Sequence, residues 1–155
     1  MSTETSNSPA ATRMAEPVCV LLFGMVGADH VSLSLGPLMG NADDPYAARP
    51  ADVTVRAGPF SGAFRTMLRP AELRAFLIPL RAIHDTLAGT ALLETLEGTV
   101  RLRITGNGSG HMTVAGTFAD GIHHDCRLHF AFDIDQTFLP PVIDAASALE
   151  EFRAG

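Results

Sequence analysis

The sequence predicts an α+β fold, a largely antiparallel β-sheet meander with two α-helices packed on it at about residues 70–88 and 137–152. Several short segments alternate apolar and polar residues with a period of two, which is typical of strands that bury one face. Two longer segments space their apolar residues by three and four, which predicts amphipathic helices. Short turns that contain glycine separate the strands of the C-terminal half, so we expect successive strands to pair there.

Composition indicates one globular domain. The chain has 155 residues, enough to bury a single core. Its content of 46% hydrophobic and 18% charged residues excludes a wholly disordered protein. Residues 1–16 are rich in Ser, Thr and Ala and show no periodicity. We therefore expect a disordered tail over residues 1–16 and one α+β domain over residues 17–155. The sequence leaves open whether the protein is a homo-oligomer.

The net charge of the chain indicates which classes of partner it can bind. The chain carries 11 basic residues, all of them arginine, and 17 acidic residues, which gives a formal net charge of −6. General nucleic-acid binding needs clustered cations that displace counterions, so we expect no nucleic-acid partner. A basic protein partner is compatible with this charge.

Neither the cysteines nor the N-terminal apolar segment indicates secretion. Cys19 and Cys126 can form at most one bridge, which is no disulfide framework. Residues 18–28 resemble the apolar part of a signal peptide, but Glu4 and Glu16 cancel the positive charge that would precede it. The segment is also too short to span a bilayer. We expect a cytoplasmic protein without membrane contact.

The N-terminal part of the domain holds three predicted strands and a long loop. Residues 18–23 form a continuous apolar run, which suits a strand covered on both faces. Residues 31–35 and 53–56 alternate as strands with one buried face. Between them, residues 36–50 contain three prolines, two glycines and the acidic pair at positions 43 and 44, which predicts a surface loop.

A fourth strand leads directly into the first helix. The residues that share its inward parity are Phe60, Gly62, Phe64, Thr66 and Leu68. Pro70 suits the first helical position, because a helix start leaves its N–H unpaired in any case. One apolar stripe follows, made of Leu73, Phe76, Leu77, Leu80, Ile83 and Leu87. Pro79 inside it costs about 3 kcal/mol, less than the burial of six apolar side chains gains at about 1.5–3 kcal/mol each. We therefore expect one kinked helix, ended by Gly89 as a left-handed cap.

The C-terminal half predicts a run of strands and a final helix. Strands are expected near residues 91–96, 99–104, 112–118 and 126–134, with Cys126 among the buried residues of the last one. Asp135, Gln136 and Thr137 are candidates for a helix start. The apolar stripe of the last helix is Leu139, Val142, Ile143, Ala146 and Leu149.

The histidines around Cys126 do not predict a metal site. Metal ligands must converge on one point, but strand alternation sends Cys126 and His129 to opposite faces. His123 and His124 lie beside a turn and are expected to be solvated. We predict no metal ion and no other cofactor.

No catalytic arrangement is predicted either. His84 and Asp85 lie at the end of the first helix, where a histidine also suits the helix dipole. No serine lies in a G-x-S-x-G turn, and the glycines of residues 106–110 lead into a strand instead of the helix that a phosphate-binding loop requires. We expect a protein that is not an enzyme.

One polar set has the parity opposite to the core of the C-terminal strands. Its members are Arg101, Arg103, His111, Thr113, Arg127, His129 and Asp133. This set is either the ordinary solvated side of an antiparallel sheet or a recognition surface for a protein or an anionic ligand. A small-ligand-binding domain that uses Arg101, Arg103, Arg127 and His129 is therefore the alternative to a protein-binding domain.

Several segments resemble a known family in order and spacing. They are Gly-Pro-Phe-Ser-Gly at residues 58–62, the helix through Leu73 and Leu80, Leu-Ala-Gly at 87–89, Gly-His-Met-Thr-Val at 110–114, and Phe-Ala-Phe-Asp-Ile-Asp-Gln-Thr-Phe-Leu at 130–139. With them the chain resembles, from about Val53 onward, the WapI-type bacterial immunity proteins that are made beside polymorphic toxins. That family often has aspartate, asparagine and tryptophan before the third strand, whereas this chain has Tyr46 there and no tryptophan.

The resemblance implies a non-enzymatic protein that blocks a cognate toxin domain by contact. Many toxins of this kind are nucleases with basic clefts, and an acidic inhibitor is steered toward such a cleft. The first candidate contacts are then the acids of the predicted loop and of the last helix: Asp43, Asp44, Asp144, Glu150 and Glu151.

Overall fold

The computed structural model of the chain describes residues 16–120 and 126–154, with the backbone alone for residues 150–154. Nearly all of the predicted N-terminal tail, residues 1–15, lies outside this part. The described residues form β1 (Cys19–Gly24), β2 (His30–Leu35), β3 (Arg49–Ala57), β4 (Phe60–Leu68), α1 (Pro70–Thr86), β5 (Ala88–Glu94), β6 (Val100–Asn107), β7 (His111–Ala119), β8 (Arg127–Asp135), a 3₁₀ turn (Gln136–Phe138) and α2 (Leu139–Ala154).

The strands form two four-stranded antiparallel sheets. The first sheet has the order β1-β2-β3-β4 and the second has the order β5-β6-β7-β8, so each strand pairs with its neighbour in the chain. The predicted α+β class with antiparallel strands and two helices is confirmed. The sequence pattern did not indicate the division into two sheets, which occurs where the 17 residues of α1 separate β4 from β5.

Both sheets and both helices bury their apolar residues in one core. Leu33 of the first sheet, Leu102 of the second and Leu80 of α1 all belong to this cluster and are almost fully buried. Aromatic rings connect its parts: the ring of Phe64 in β4 lies edge-on to that of Phe118 in β7, with centroids 5.6 Å apart. The two sheets therefore contact each other through apolar side chains of this core.

Two predicted strands are less buried than expected. Residues 18–23 were predicted to be covered on both faces, but Val20 is 46% exposed while Leu21 and Phe23 are fully buried. This prediction was wrong because the helices cover only the inner face of β1. In β4, Phe60 has the inward parity but is 64% exposed. It pairs with Ala57 beside the tight turn between β3 and β4, where core side chains no longer cover it.

Cys126 was predicted to be a core residue, and this prediction was wrong. Its side chain is exposed, and β8 begins only at Arg127. The next residue of the same parity, Leu128, is itself only half-buried, so the core ends before it reaches position 126. His123 and His124 lie outside the described residues.

The first helix continues through Pro79, so the prediction of one helix instead of two is confirmed. Its predicted cap was wrong. Leu87, not Gly89, takes the left-handed conformation with φ 65°, and its N–H donates to the carbonyl oxygen of Ile83 at 2.6 Å. A left-handed conformation costs a residue with a Cβ about 1–2 kcal/mol. The side chain of Leu87 packs on the core, and that burial offsets this cost.

Three threonine hydroxyls form a buried network between the sheets. Thr66 Oγ1 in β4 lies 2.6 Å from Thr99 Oγ1, which lies 3.0 Å from Thr95 Oγ1. Thr95 Oγ1 also accepts a hydrogen bond from the backbone N–H of Val100 at 3.1 Å. Buried hydroxyls need such partners to offset their lost hydration. The network therefore ties β4 to the turn between β5 and β6.

Two glycines in the sheets differ in the space around them. A methyl group at Gly116 in β7 would meet the carbonyl oxygen of Arg101 at 2.5 Å and the ring of Phe130 at 3.1 Å. A methyl group at Gly62 in β4 would meet only the side chain of Val55, at 3.8 Å. The packing of the second sheet therefore depends on the missing side chain at position 116.

Replacing Thr99 by Val should weaken the join between the sheets. The change removes the hydroxyl that contacts both Thr66 and Thr95 and leaves Thr66 Oγ1 buried without this partner. We expect the free energy of unfolding in urea to fall by about 1–3 kcal/mol. Thr54→Val on the outer side of β3 is the control, with an expected change within about 0.5 kcal/mol. Equal stability of the two variants would contradict this role.

Replacing Gly116 by Ala should destabilise the protein through a steric clash. Because the added methyl group meets a backbone carbonyl, we expect the free energy of unfolding to fall by about 1–3 kcal/mol. Gly62→Ala has space and should be neutral or stabilising by up to about 1 kcal/mol. Thermal denaturation of both variants measures the difference. A Gly116→Ala protein as stable as wild type would refute the packing argument.

Candidate functional site

The polar set of the C-terminal strands lies on the outer face of the second sheet, as predicted. The residues opposite the core on β6, β7 and β8 are exposed or half-buried, whereas their neighbours in the chain point into the core. The set comprises Arg101, Arg103, His111, Thr113, Arg127, His129 and Asp133. We call the side of the sheet that carries them the outer face.

One cross-strand row of the outer face joins four polar residues. The register places Glu94, Arg101, Thr117 and His129 opposite one another on successive strands. Thr117 Oγ1 lies 2.9 Å from His129 Nδ1, and Arg101 Nη1 lies 3.6 Å from Glu94 Oε2. The hydrogen bond orients the imidazole, while the ion pair is long and exposed and therefore weak.

A second group of polar contacts lies further along the same face. Asp133 accepts a hydrogen bond from Thr113 Oγ1 at 3.2 Å, and its other oxygen lies 3.3 Å from His111 Nε2. These side chains largely satisfy each other. They are therefore less available to a partner than the side chains between the two groups.

Between these groups lies a row that contains two alanines. Leu92, Arg103, Ala115 and Ala131 are opposite one another on β5 to β8. The small side chain of Ala115 leaves a hollow of about 270 Å³, lined on its polar side by Arg101, Arg103, Thr117 and His129. We call this space the Arg103 hollow.

Arg127 does not line the Arg103 hollow, although sequence analysis grouped it with Arg101 and Arg103. It pairs with Ala119, two residues closer to the end of the sheet than the pair of Thr117 and His129. Its side chain instead lines a different pocket, together with residues of β4 such as Phe64. The three arginines of the predicted polar set therefore do not share one pocket.

The acidic candidates lie elsewhere. Asp43 and Asp44 are exposed in the segment between β2 and β3, residues 36–48, which we call the β2–β3 loop. Local hydrogen bonds hold its backbone: Asp44 N–H donates to Asn41 O at 2.9 Å, Tyr46 N–H donates to Asp44 Oδ1 at 2.9 Å, and Ala47 N–H donates to Asp44 O at 3.0 Å. The loop is shorter than predicted, because β3 begins at Arg49.

Two apolar side chains are exposed in the same loop. Tyr46 is 75% exposed and Met39 is 59% exposed. Met39 and Ala48 exchange backbone hydrogen bonds of 2.8 and 3.1 Å, which close the base of the loop. Sequence analysis did not assign a role to Met39 or Tyr46. The polarity of the surrounding residues predicted only that the segment is at the surface.

The acidic candidates of the last helix lie on α2, where the structure describes side chains up to residue 149. Asp144 is exposed on α2. Glu150 and Glu151 lie in the same helix, and their side chains are outside the described part. Leu149 of α2 lines a pocket with Arg49, the first residue after the β2–β3 loop. The C-terminal half of α2 and the base of this loop therefore lie at the same end of the molecule.

The described residues contain neither a cluster of metal-ligating side chains nor a membrane-spanning helix. Within residues 16–120 and 126–149, no three His, Cys, Asp or Glu side chains gather as they would around a metal ion. None of the helices described here is both long enough and apolar enough to cross a membrane.

Asp135 fixes the connection from the second sheet to α2. Its Oδ1 accepts a hydrogen bond from the backbone N–H of Thr137 at 2.8 Å, which caps the 3₁₀ turn. The predicted helix-start role is confirmed. Hydrogen bonds from the N–H and the side chain of Thr137 lower the pKa of Asp135 below its ordinary value of 3.8, and His111 adds to this effect.

Residues 28–152 match the family described as the immunity protein WapI-like family. This match covers more than half of the chain, from the turn before β2 into α2. It begins before Val53, where the resemblance in the sequence starts. No curated protein matches the chain.

Replacing Asp135 by Ala should make stability less dependent on pH. The lowered pKa means that the ionised carboxylate stabilises the folded protein above about pH 4 and that this contribution is lost as pH falls through the lowered pKa. The difference in free energy of unfolding between wild type and Asp135→Ala should therefore be largest near neutral pH and shrink as pH falls below about 4. Urea denaturation at several pH values measures it.

Asp144→Ala, which removes an exposed acid from α2, is the control for a general loss of negative charge. A gap between wild type and Asp135→Ala that stays constant over this pH range would contradict the assigned cap.

Proposed function

The chain belongs to the immunity protein WapI-like family, and from this premise we propose that it neutralises a cognate bacterial toxin by direct contact. The family match over residues 28–152 carries the proposal. In this role the protein acts in the cytoplasm of the cell that makes the toxin. It needs a binding surface and no reaction centre.

The β2–β3 loop has the composition of a protein contact. It exposes Tyr46 and Met39 beside Asp43 and Asp44. Tyrosine and methionine are enriched in protein interfaces, where they bury large areas. Because hydrogen bonds already hold the backbone of the loop, ordering it on binding costs little entropy. We propose this loop as the first contact of the toxin.

Charge supports a basic partner for this end of the molecule. The chain has a formal net charge of −6, and Asp144 and Glu150 on α2 are further acidic candidates. Complementary charge increases the rate at which two proteins meet and suppresses wrong partners. A toxin with a basic cleft, such as a nuclease, fits this surface.

The proposal is tested with the toxin domain encoded beside the gene for this protein. We expect the two purified proteins to form a stable complex in gel filtration and calorimetry, and the toxin to lose its activity in that complex. Co-expression should also restore the growth of cells that make the toxin domain. Full toxin activity in the presence of excess protein would refute the proposed function.

Charge reversal in the loop should slow association with the toxin. For Asp43→Lys with Asp44→Lys, we expect the association rate at low salt to fall by about tenfold or more, and the effect to shrink as salt screens the charges. Stopped-flow mixing measures the rate. The control reverses two exposed acids elsewhere, Asp85→Lys with Glu97→Lys, which changes the net charge equally.

The two double variants separate a local contact from net charge. The loop contacts the toxin if the loop variant associates slowly and the control variant associates at the wild-type rate. A loop variant that associates and protects as wild type does would remove Asp43 and Asp44 from the interface.

A further inference from the structure

Arg103 lies exposed on the outer face of the second sheet. Among the arginines with described side chains, Arg103 alone makes no hydrogen bond or ion pair with another described residue. Its cross-strand neighbours, Leu92 and Ala115, cannot supply one. In a chain with 17 acidic residues, the strand register thus leaves this guanidinium free for an external group.

The surroundings of Arg103 suit a carboxylate. Arg101 and Arg103 are two residues apart on β6, so their side chains extend from the same face of the sheet, about 7 Å apart along the strand. Thr117 and His129 form the opposite wall of the Arg103 hollow, with the imidazole held by their 2.9 Å hydrogen bond. The guanidinium fork matches the two oxygens of a carboxylate.

The neighbouring acids restrict what can bind. In the strand register, Glu94 lies in the row of Arg101 on one side of the row of Arg103, and Asp133 lies in the row of Thr113 on the other side. A chain of phosphates, such as nucleic acid, would meet these carboxylates and be repelled. A single carboxylate can enter between them, so the charge pattern favours an isolated acidic group.

We propose that the Arg103 hollow is a subsite that receives an acidic side chain of the toxin, with Arg103 as its main ligand. The inference rests on the proposed function, because it takes its partner from there. A free small anion would remain exposed to water in this open hollow and gain little. The same ion pair becomes stronger when a protein surface covers it and excludes water.

This subsite would complement the contact proposed for the β2–β3 loop. The loop recognises basic groups of the toxin, whereas the Arg103 hollow recognises an acidic one. Charges of both signs at separate positions fix the orientation of a partner better than one sign alone.

The experiment measures the affinity of the toxin domain for variants of the full chain by calorimetry. We expect Arg103→Ala to weaken binding by about thirtyfold or more, as loss of a covered charge pair does. Arg103→Lys keeps the positive charge but lacks the guanidinium fork, so its affinity should lie between those of wild type and Arg103→Ala. Arg56→Ala is the control, because it removes the same charge from the outer side of β3 and should change affinity by less than about threefold. Equal thermal stability of all variants confirms folding.

These outcomes separate the subsite from the proposed function. If wild type binds the toxin and Arg103→Ala binds equally well, the subsite is wrong and the proposed function stands. If wild type does not bind the toxin at all, both are wrong.

A second measurement tests the chemistry without the toxin. Acetate and isophthalate are titrated into labelled protein while NMR follows the amide signals of Arg103 and Thr117. Weak shifts in wild type that disappear in Arg103→Ala support the subsite. If no amide signal shifts, the hollow does not bind a carboxylate. Tight binding of free isophthalate would assign the hollow to a small ligand instead of a toxin side chain.

Discussion

The contact between the two sheets is the constraint on which the rest of the structure depends. The hydroxyls of Thr66 and Thr99 lie 2.6 Å apart, and the rings of Phe64 and Phe118 meet two residues away on the same side of β4. Apolar burial supplies most of the driving force for this contact. A buried hydrogen bond is strong only at the right geometry, so it fixes how the sheets meet. Because the inner faces are used there, outer surfaces and loops remain for other roles.

The two candidate surfaces lie outside that core and are built in different ways. The β2–β3 loop carries Asp43 and Asp44 and is held by its own backbone hydrogen bonds. The Arg103 hollow is instead a product of strand register, which places Ala115 beside a long charged side chain. The backbone of each is held by hydrogen bonds within the protein itself. A surface of this kind loses little entropy when a partner binds.

Short-range patterns in the sequence predicted the elements and their faces, and long-range contacts decided the rest. A period of two sufficed to place Arg101 and His129 on the outer face. The predictions for Val20, from a continuous apolar run, and for Cys126, from parity, were wrong because the burial of both residues depends on whether a distant element covers them. The Arg103 hollow could not be predicted, since parity assigns a face but not the residue opposite on the next strand.

The exposed thiol of Cys126 gives the protein one site for covalent labelling. Its counterpart Cys19 is buried, with Sγ 3.6 Å from the carbonyl oxygen of Ala145, and burial raises its pKa. Thiolates are the reactive form, so alkylating reagents meet one accessible sulfur and one that is protonated and enclosed. A fluorophore attached through maleimide therefore reaches a single defined point beside β8, without a cysteine having to be engineered into the chain.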